Sequence, residues 1–299
     1  MKNRKVHVVI VVATLVVLGI AVSAATLTGS GQVLRSKTER TVKMTDRPRV
    51  PESRPSESKS SSAFNPATIQ NSTLRHELSW SFGGKQQRGW HLYDLLIGET
   101  LNTQHDAVTN DFAASLSKWQ KKSGLGSSGI LDENTLMAFV SLWQRNRLKI
   151  RTPATQDQLL LAPASDFYDP SRAAELRHVE RKTYEAYKEM VAAAHADPTL
   201  KLSSKDQYFK IISAHRSREY QDELRRKSPN SGRAGLAVNS PHFTGRALDI
   251  YVGGSPVDTK DSNRAIQVNT PAYRWLVRNA ERFGFRPYFY EPWHWEYVK

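Results

Sequence analysis

The run Ser240-Pro-His-Phe-Thr-Gly-Arg-Ala-Leu-Asp249-Ile-Tyr-Val constrains the fold more than any other stretch of the chain. It reads as a loop that turns at Gly245 into a short apolar strand. Side chains alternate along a strand, so Ala247, Asp249 and Tyr251 share one face. Leu248, Ile250 and Val252 make up the other, with the composition of a buried face. Asp249 is then aimed away from the core, and a lone outward Asp on such a strand calls for a reason. Gly245 tolerates backbone angles that other residues avoid, which lets the turn fold His242 back toward that carboxylate. A third donor has to come from elsewhere, and Glu291-Pro-Trp-His294-Trp-Glu296-Tyr near the C-terminus offers His294. Two imidazoles and one carboxylate make a three-donor zinc set with the fourth position open to water, the arrangement of catalytic rather than structural zinc sites. A free carboxylate nearby would serve as general base. His76, His91, His105, His178 and His195 fit no comparable pattern.

In a regular strand Glu291 and His294 would point to opposite faces, while His294 and Glu296 would share one. Pro292 removes a backbone donor and favours a break there, so Glu291 is expected in the preceding turn. Glu296 remains a second candidate for base, or for a partner behind the histidine. The spacing Ser-x-His-x-x-Gly-x-Ala-x-Asp, followed by Glu-x-x-His, resembles the zinc D-alanyl-D-alanine carboxypeptidases of the vancomycin-resistance type, which share their fold with the Hedgehog signalling domain. Ser240, His242, Gly245, Ala247, Asp249, Glu291 and His294 fill every fixed position. The resemblance implies zinc ligands His242, Asp249 and His294, with Glu291 as base, over roughly the last 130 residues, about one domain. Upstream, Ser213-x-x-Arg216-Ser217-x-x-x-Gln221 also matches the family. There the resemblance implies that Arg216, Ser217 and Gln221 help to hold the substrate's terminal carboxylate or acyl groups, with Ser240 also at a substrate-binding position. Arginine offers a rigid donor fork matched to a carboxylate. His215 stands where the family often has an aromatic residue and is not counted as a ligand.

The rest of the 299-residue chain divides by composition. Lys2, Arg4 and Lys5 precede Val8 to Ala25, an uncharged and mostly apolar run, so residues 1–26 read as a signal or transmembrane anchor, with Val22-Ser-Ala24 as a possible cleavage site. The basic flank keeps the N-terminus cytoplasmic and sends the remainder outward. Residues 27–73, rich in Ser, Thr, Pro, Lys and Arg, lack the apolar surface to offset their ordering entropy and are expected to be a disordered linker. Residues 74–150 read as a small helical domain. Phe112, Leu116 and Trp119 share a helical stripe, a glycine turn follows, and Asp132 can cap a second helix with Leu136, Phe139, Val140 and Trp143 inward. This pattern resembles the peptidoglycan-binding domain often attached to wall hydrolases, although Ser128 stands where the family usually has Asp. Residues 151–166 read as a second linker and 167–299 as the catalytic domain. Within it a long helix is expected over Ser171–Ala196, a strand over Phe209–His215, a helix over Thr270–Arg282 that ends at Gly284, and sheet from Phe285 to Tyr290.

With no cysteine, disulfides and thiolate metal sites are excluded, which leaves metal binding to His and carboxylates. A formal charge of +14 favours an anionic setting, such as an acidic wall or phospholipid. The expectation is an α+β zinc peptidase behind a helical domain and an N-terminal helix. It would be exported to the cell envelope, would act on peptidoglycan and would touch the membrane through the N-terminal helix; nucleic acid is not expected as a partner. The favoured bond is D-Ala-D-Ala. A peptidoglycan endopeptidase or L,D-carboxypeptidase, and a catalytically silent wall-binding protein, are the alternatives. The oligomeric state is not readable.

Overall fold

The computed structural model describes residues 64–203, 205–229 and 236–299. The expected signal or anchor at 1–26 and most of the linker at 27–73 lie outside the described residues. Among the described residues no helix is long and apolar enough to cross a membrane.

The N-terminal part is built from helices α1 (Asn65–Glu77), α2 (Asp94–Leu101), α3 (Asn110–Lys122) and α4 (Glu133–Arg145), with a small hairpin of β1 (Ser79–Phe82) and β2 (Lys85–Arg88). The cap expected at Asp132 holds. Asp132 accepts from Thr135 N–H at 2.8 Å, and Leu136, Phe139, Val140 and Trp143 are buried behind it. α1 begins inside the stretch read as disordered linker. Its composition is polar, but Asn71 is fully buried and bonds the 129–131 turn twice, to the Gly129 carbonyl at 2.9 Å and from the Leu131 N–H at 2.8 Å. Gln120, equally buried, joins the same turn through Gly129 and Ile130 and also reaches Thr135. Two amides thus hold a turn whose own backbone groups would otherwise lack partners.

The C-terminal part follows without a free linker. In the stretch 151–166, β3 (Leu159–Leu161) pairs antiparallel with β4 (His178–Glu180). The long helix expected over Ser171–Ala196 is shorter: a 3-10 turn at Ala174–Leu176 and β4 take up its first part, and α5 (Arg181–His195) starts where Glu180 caps Thr183. Helical spacing at Ala174, Leu176 and Val179 is equally met by a 3-10 turn leading into a strand, which is the form observed. The central sheet is fully antiparallel, in the order β5 (Ile211–Ser213), β6 (Ala247–Ile250), β8 (His294–Tyr297), β7 (Phe285–Pro287). Helices α6 (Arg218–Lys227), α7 (Asp261–Val268) and α8 (Pro271–Asn279) flank it. Sheet ends at Pro287 rather than at Tyr290, because Tyr288–Tyr290 turn away to pack against the helical part.

One face of the sheet, with Ile211, Leu248, Ile250 and Trp295, packs on Tyr187, Met190 and Leu276 to form one core. A second core joins Trp90, Phe112, Leu116 and Phe139 of the helical part to Tyr288, Phe289 and Tyr290. Both parts belong to one compact unit.

Candidate active site

The sheet register brings two of the three predicted donors together, and a turn supplies the third. Asp249 of β6 lies directly opposite His294 of β8, so the two side chains rise from one face as a cross-strand pair. Ala247 lies opposite Glu296, so Glu296 stands beside His294 on that face. Leu248 and Trp295 take the other face, as the alternation requires. His242 sits in a 3-10 turn, Pro241–Thr244, capped by Ser240 and closed by Gly245 at φ 66°. A Cβ on Gly245 would lie 2.8 Å from Leu159 Cδ2 and 2.9 Å from the Glu180 N, so this turn also needs glycine for close approach to β3 and β4. Glu291 precedes β8 in the break around Pro292, as the Pro-based argument expected.

His242 Nε2 lies 3.3 Å from Asp249 Oδ1, and His294 Nδ1 lies 2.9 Å from the same oxygen. One donor atom from each of the three residues can be chosen so that all lie within 4.8 Å of one another. Tetrahedral zinc with ligands at its usual lengths separates neighbouring donors by roughly 3.3 Å, so the set fits such an ion. The remaining ring nitrogens are held from behind. His242 Nδ1 is 2.6 Å from the Ala214 carbonyl and His294 Nε2 is 3.2 Å from Glu296 Oε1. Each outer partner fixes a ring and leaves the inward nitrogen's lone pair for a metal.

Charge follows from this packing. Burial opposes ionisation of Asp249, but His242 and the Arg216 guanidinium outweigh it and hold the carboxyl well below its ordinary range. Burial, with Arg216 beside it, lowers His242 to about 4. His294 is also buried, yet its hydrogen bonds to Asp249 and Glu296 raise it to about 9. Glu291 is pushed up to about 8, chiefly by burial and further by Asp249. Glu296 goes the other way: despite its burial, His294 and Arg147 hold it ionised far below the usual range.

The three donors line a cavity of about 450 Å³ together with Glu291, Ser240, Trp293, Tyr288 and three arginines, Arg147, Arg172 and Arg216. The four residues expected to bind substrate therefore separate. Arg216 and Ser240 face the cavity. Gln221 is buried behind Arg216, its Oε1 3.3 Å from Nη1, and also donates to the Ala237 carbonyl. Ser217 is exposed and caps α6, accepting from Tyr220 N–H at 3.1 Å. Arg216 is itself braced: Nε donates to Ser213 Oγ at 2.9 Å and Nη2 to Asp249 Oδ2. Trp293 lines the cavity whereas Trp295 is core, which divides two tryptophans that the sequence could not tell apart.

Arg147 and Arg172 were not foreseen. Arg172 Nε donates to the Leu176 carbonyl, and among the described residues no carboxylate pairs with this guanidinium. Arg147 comes from the end of the helical part, and no periodicity links it to a site some 150 residues later.

Residues 176–299 match the model of the VanY family, D-alanyl-D-alanine carboxypeptidase. The resemblance carried by the two motifs is borne out over that stretch. Among solved structures the chain is similar to the LdcB LD-carboxypeptidase, at 23% identity and a TM-score of 0.36, covering 48% of this chain and 70% of that one. It is similar to VanYB in complex with D-alanine-D-alanine, at 21% identity and 0.28, covering 47% and 86%. A variant of the vancomycin-resistance D,D-pentapeptidase VanY in complex with Zn(II) is similar at 20% identity and 0.32, covering 52% and 89%. No curated protein matches the chain.

Proposed function

We propose that the chain is an exported zinc carboxypeptidase that removes the last residue from the D-Ala-D-Ala end of peptidoglycan stem peptides. The observation that carries this reading is the convergence of His242, Asp249 and His294 on one point in a cavity that also holds Glu291. Zinc held by these three residues would polarise the scissile carbonyl and make its bound water more acidic. Glu291 is the base. It faces the cavity, and burial has raised its proton affinity toward the range useful for transfer near neutral pH. Glu296 cannot take that role, because its two oxygens are already committed to Arg147, Leu148 N–H and His294. Glu296 orients; Glu291 moves the proton from water toward the leaving amine.

An exopeptidase has to recognise a chain end, and the chemical mark of an end is one carboxylate. Arg216 lines the cavity, and each of its Nη groups carries a second N–H besides the one bonded to Gln221 or Asp249. Arg172 adds a second positive charge on the same wall. Ser240 offers a hydroxyl beside His242. Ser217 and Gln221 serve this wall indirectly, one by starting α6 and the other by bracing Arg216. The apolar run within residues 1–26 would export the protein or anchor it in the membrane, and the helical part would hold it to the wall.

The test is a stem peptide ending in D-Ala-D-Ala, supplied with a free or an amidated C-terminus. The native enzyme should cut the free form and be poor on the amide. Arg216→Lys keeps the charge but loses the fork, and should lower kcat/KM on the free form by roughly 10- to 100-fold, about 1.4 to 2.8 kcal/mol, with little effect on the amide. Equal cleavage of both forms by the native enzyme would overturn the carboxypeptidase reading in favour of an endopeptidase.

A further inference from the structure

The helical part reaches the metal centre from behind. Glu296, fully buried on β8, faces His294 Nε2 with Oε1, and its Oε2 accepts the Leu148 N–H at 2.9 Å. Arg147 donates to Oε1 through Nε at 3.2 Å and also through Nη2. Gln144, in the last turn of α4, accepts from Arg147 Nη1 at 2.8 Å, and the guanidinium lies 3.9 Å over the Tyr288 ring. A buried carboxylate is costly unless it is paired and its lone pairs are filled. Residues 147 and 148 do both, and both lie just beyond α4. The loop that leads to Glu291 rests on the same part of the chain. Phe289 packs against Phe82 at 4.7 Å, Tyr93 at 5.4 Å and Trp143 at 5.8 Å between ring centres. The guanidinium of Arg264 lies 4.5 Å over Tyr290 and bonds Tyr93 Oη at 2.6 Å. Supports for both the third metal donor and the base therefore come from residues outside the catalytic motifs.

We propose that the helical part is a positioning element of the catalytic centre, in which Arg147, acting through Glu296, fixes the tautomer and ring orientation of His294 and so sets the affinity of the metal site. This rests on the reading of His242, Asp249 and His294 as metal donors. A ligating imidazole depends on the group that accepts its other N–H, and loss of such an outer partner commonly weakens metal binding by about 10- to 100-fold. Arg147 is one bond further out, but without it Glu296 loses the donors that aim it. The alternative is that Arg147 merely joins two parts of the fold. Arg278 provides the comparison, because it pairs with Glu99 across the same two parts at 3.2 Å, half exposed and away from the histidines.

The experiment is a chelator competition on the full-length, metal-stripped protein, measuring zinc affinity beside the thermal midpoint. Arg147→Ala should weaken zinc binding by about 10-fold or more, Arg147→Lys by less, and Arg278→Ala by under about twofold, as a surface pair contributes little. In a Glu296→Gln background, Arg147→Ala should add under about twofold, since the two act in series. Arg147→Ala with native zinc affinity, or with its full effect retained in the Glu296→Gln background, would overturn the proposal. If Arg147→Ala does not fold, Arg147→Lys takes its place in the same cycle under the same criterion. Native protein that binds no zinc would overturn the metal reading itself, an outcome distinct from equal binding by native and variant.

Discussion

At the scale of single residues, two buried glutamates five positions apart have opposite chemistry because of what surrounds them. Glu291 lies where burial dominates and its carboxyl rises to about 8, whereas Glu296 is surrounded by Arg147, His294 and a backbone N–H and stays ionised. Glu291→Gln should therefore keep zinc and fold while lowering kcat by about 10²-fold or more. Since a base works deprotonated, the native rate should fall as pH drops through the Glu291 pKa, at or below about 8 once a metal's positive charge draws it down, and the glutamine variant should lack that limb. A pH profile of both proteins checks this. If Glu296→Gln removes the limb instead, the roles are reversed. His294 yields a second prediction. Its carboxylate partners raise it to about 9 in the metal-free protein, so zinc has to displace a proton. Zinc affinity should climb by up to about tenfold per pH unit below that value and level off above it. Chelator competition at several pH values measures the slope, and a flat profile from pH 6 to 8 would contradict the proton count. The candidate ligands were legible in the sequence because a strand has period two and a short motif carries its own geometry. Arg147 and Arg172 were not, because a guanidinium delivered from a distant segment leaves no local pattern.

Elements explain why those residues meet. The Asp249–His294 pairing is fixed by the β6–β8 register, and a slip by one residue would send Asp249 to the core face and Leu248 into the cavity. His242 depends instead on a tight 3-10 turn that closes at Gly245 against β3 and β4. Gly245→Ala places a side chain at φ 66° and a methyl within 3 Å of Leu159 and Glu180. The expected cost is about 1–3 kcal/mol, with weaker zinc binding because His242 moves with the turn. Thermal unfolding and zinc content read both, and an unchanged variant would show that the turn relaxes freely. The elements that the sequence misplaced each have a physical cause. α1 is polar in composition and is placed by polar contacts, among them Asn71's bonds to the 129–131 turn and the Arg75–Asp94 pair, so it resembled a linker. β3 and β4 are three residues each, too short for alternation to show. Tyr288–Tyr290 have strand-like composition, yet the second core claims their rings.

For the whole molecule, the division expected at about residue 150 is not a boundary in the packing. The second core draws on residues 80–143 and on 288–290, so neither part can complete it alone. Residues 64–299 should accordingly unfold in a single cooperative transition, and Phe289→Ala should destabilise that transition by about 3–5 kcal/mol. Calorimetry resolving two independent transitions, with Phe289→Ala shifting neither, would argue for separable modules. Shared packing puts the helical part and the support of His294 in one compact unit. His242, Asp249 and His294 are proposed to form a catalytic zinc site directed at a peptide terminus. Its most direct test is mass measurement of a stem pentapeptide ending in D-Ala-D-Ala after incubation with metal-stripped and with zinc-restored protein. Loss of one alanine is expected, with zinc alone restoring activity and His294→Ala abolishing it. An unchanged pentapeptide with zinc-loaded native protein, or equal loss of alanine without any metal, would contradict it.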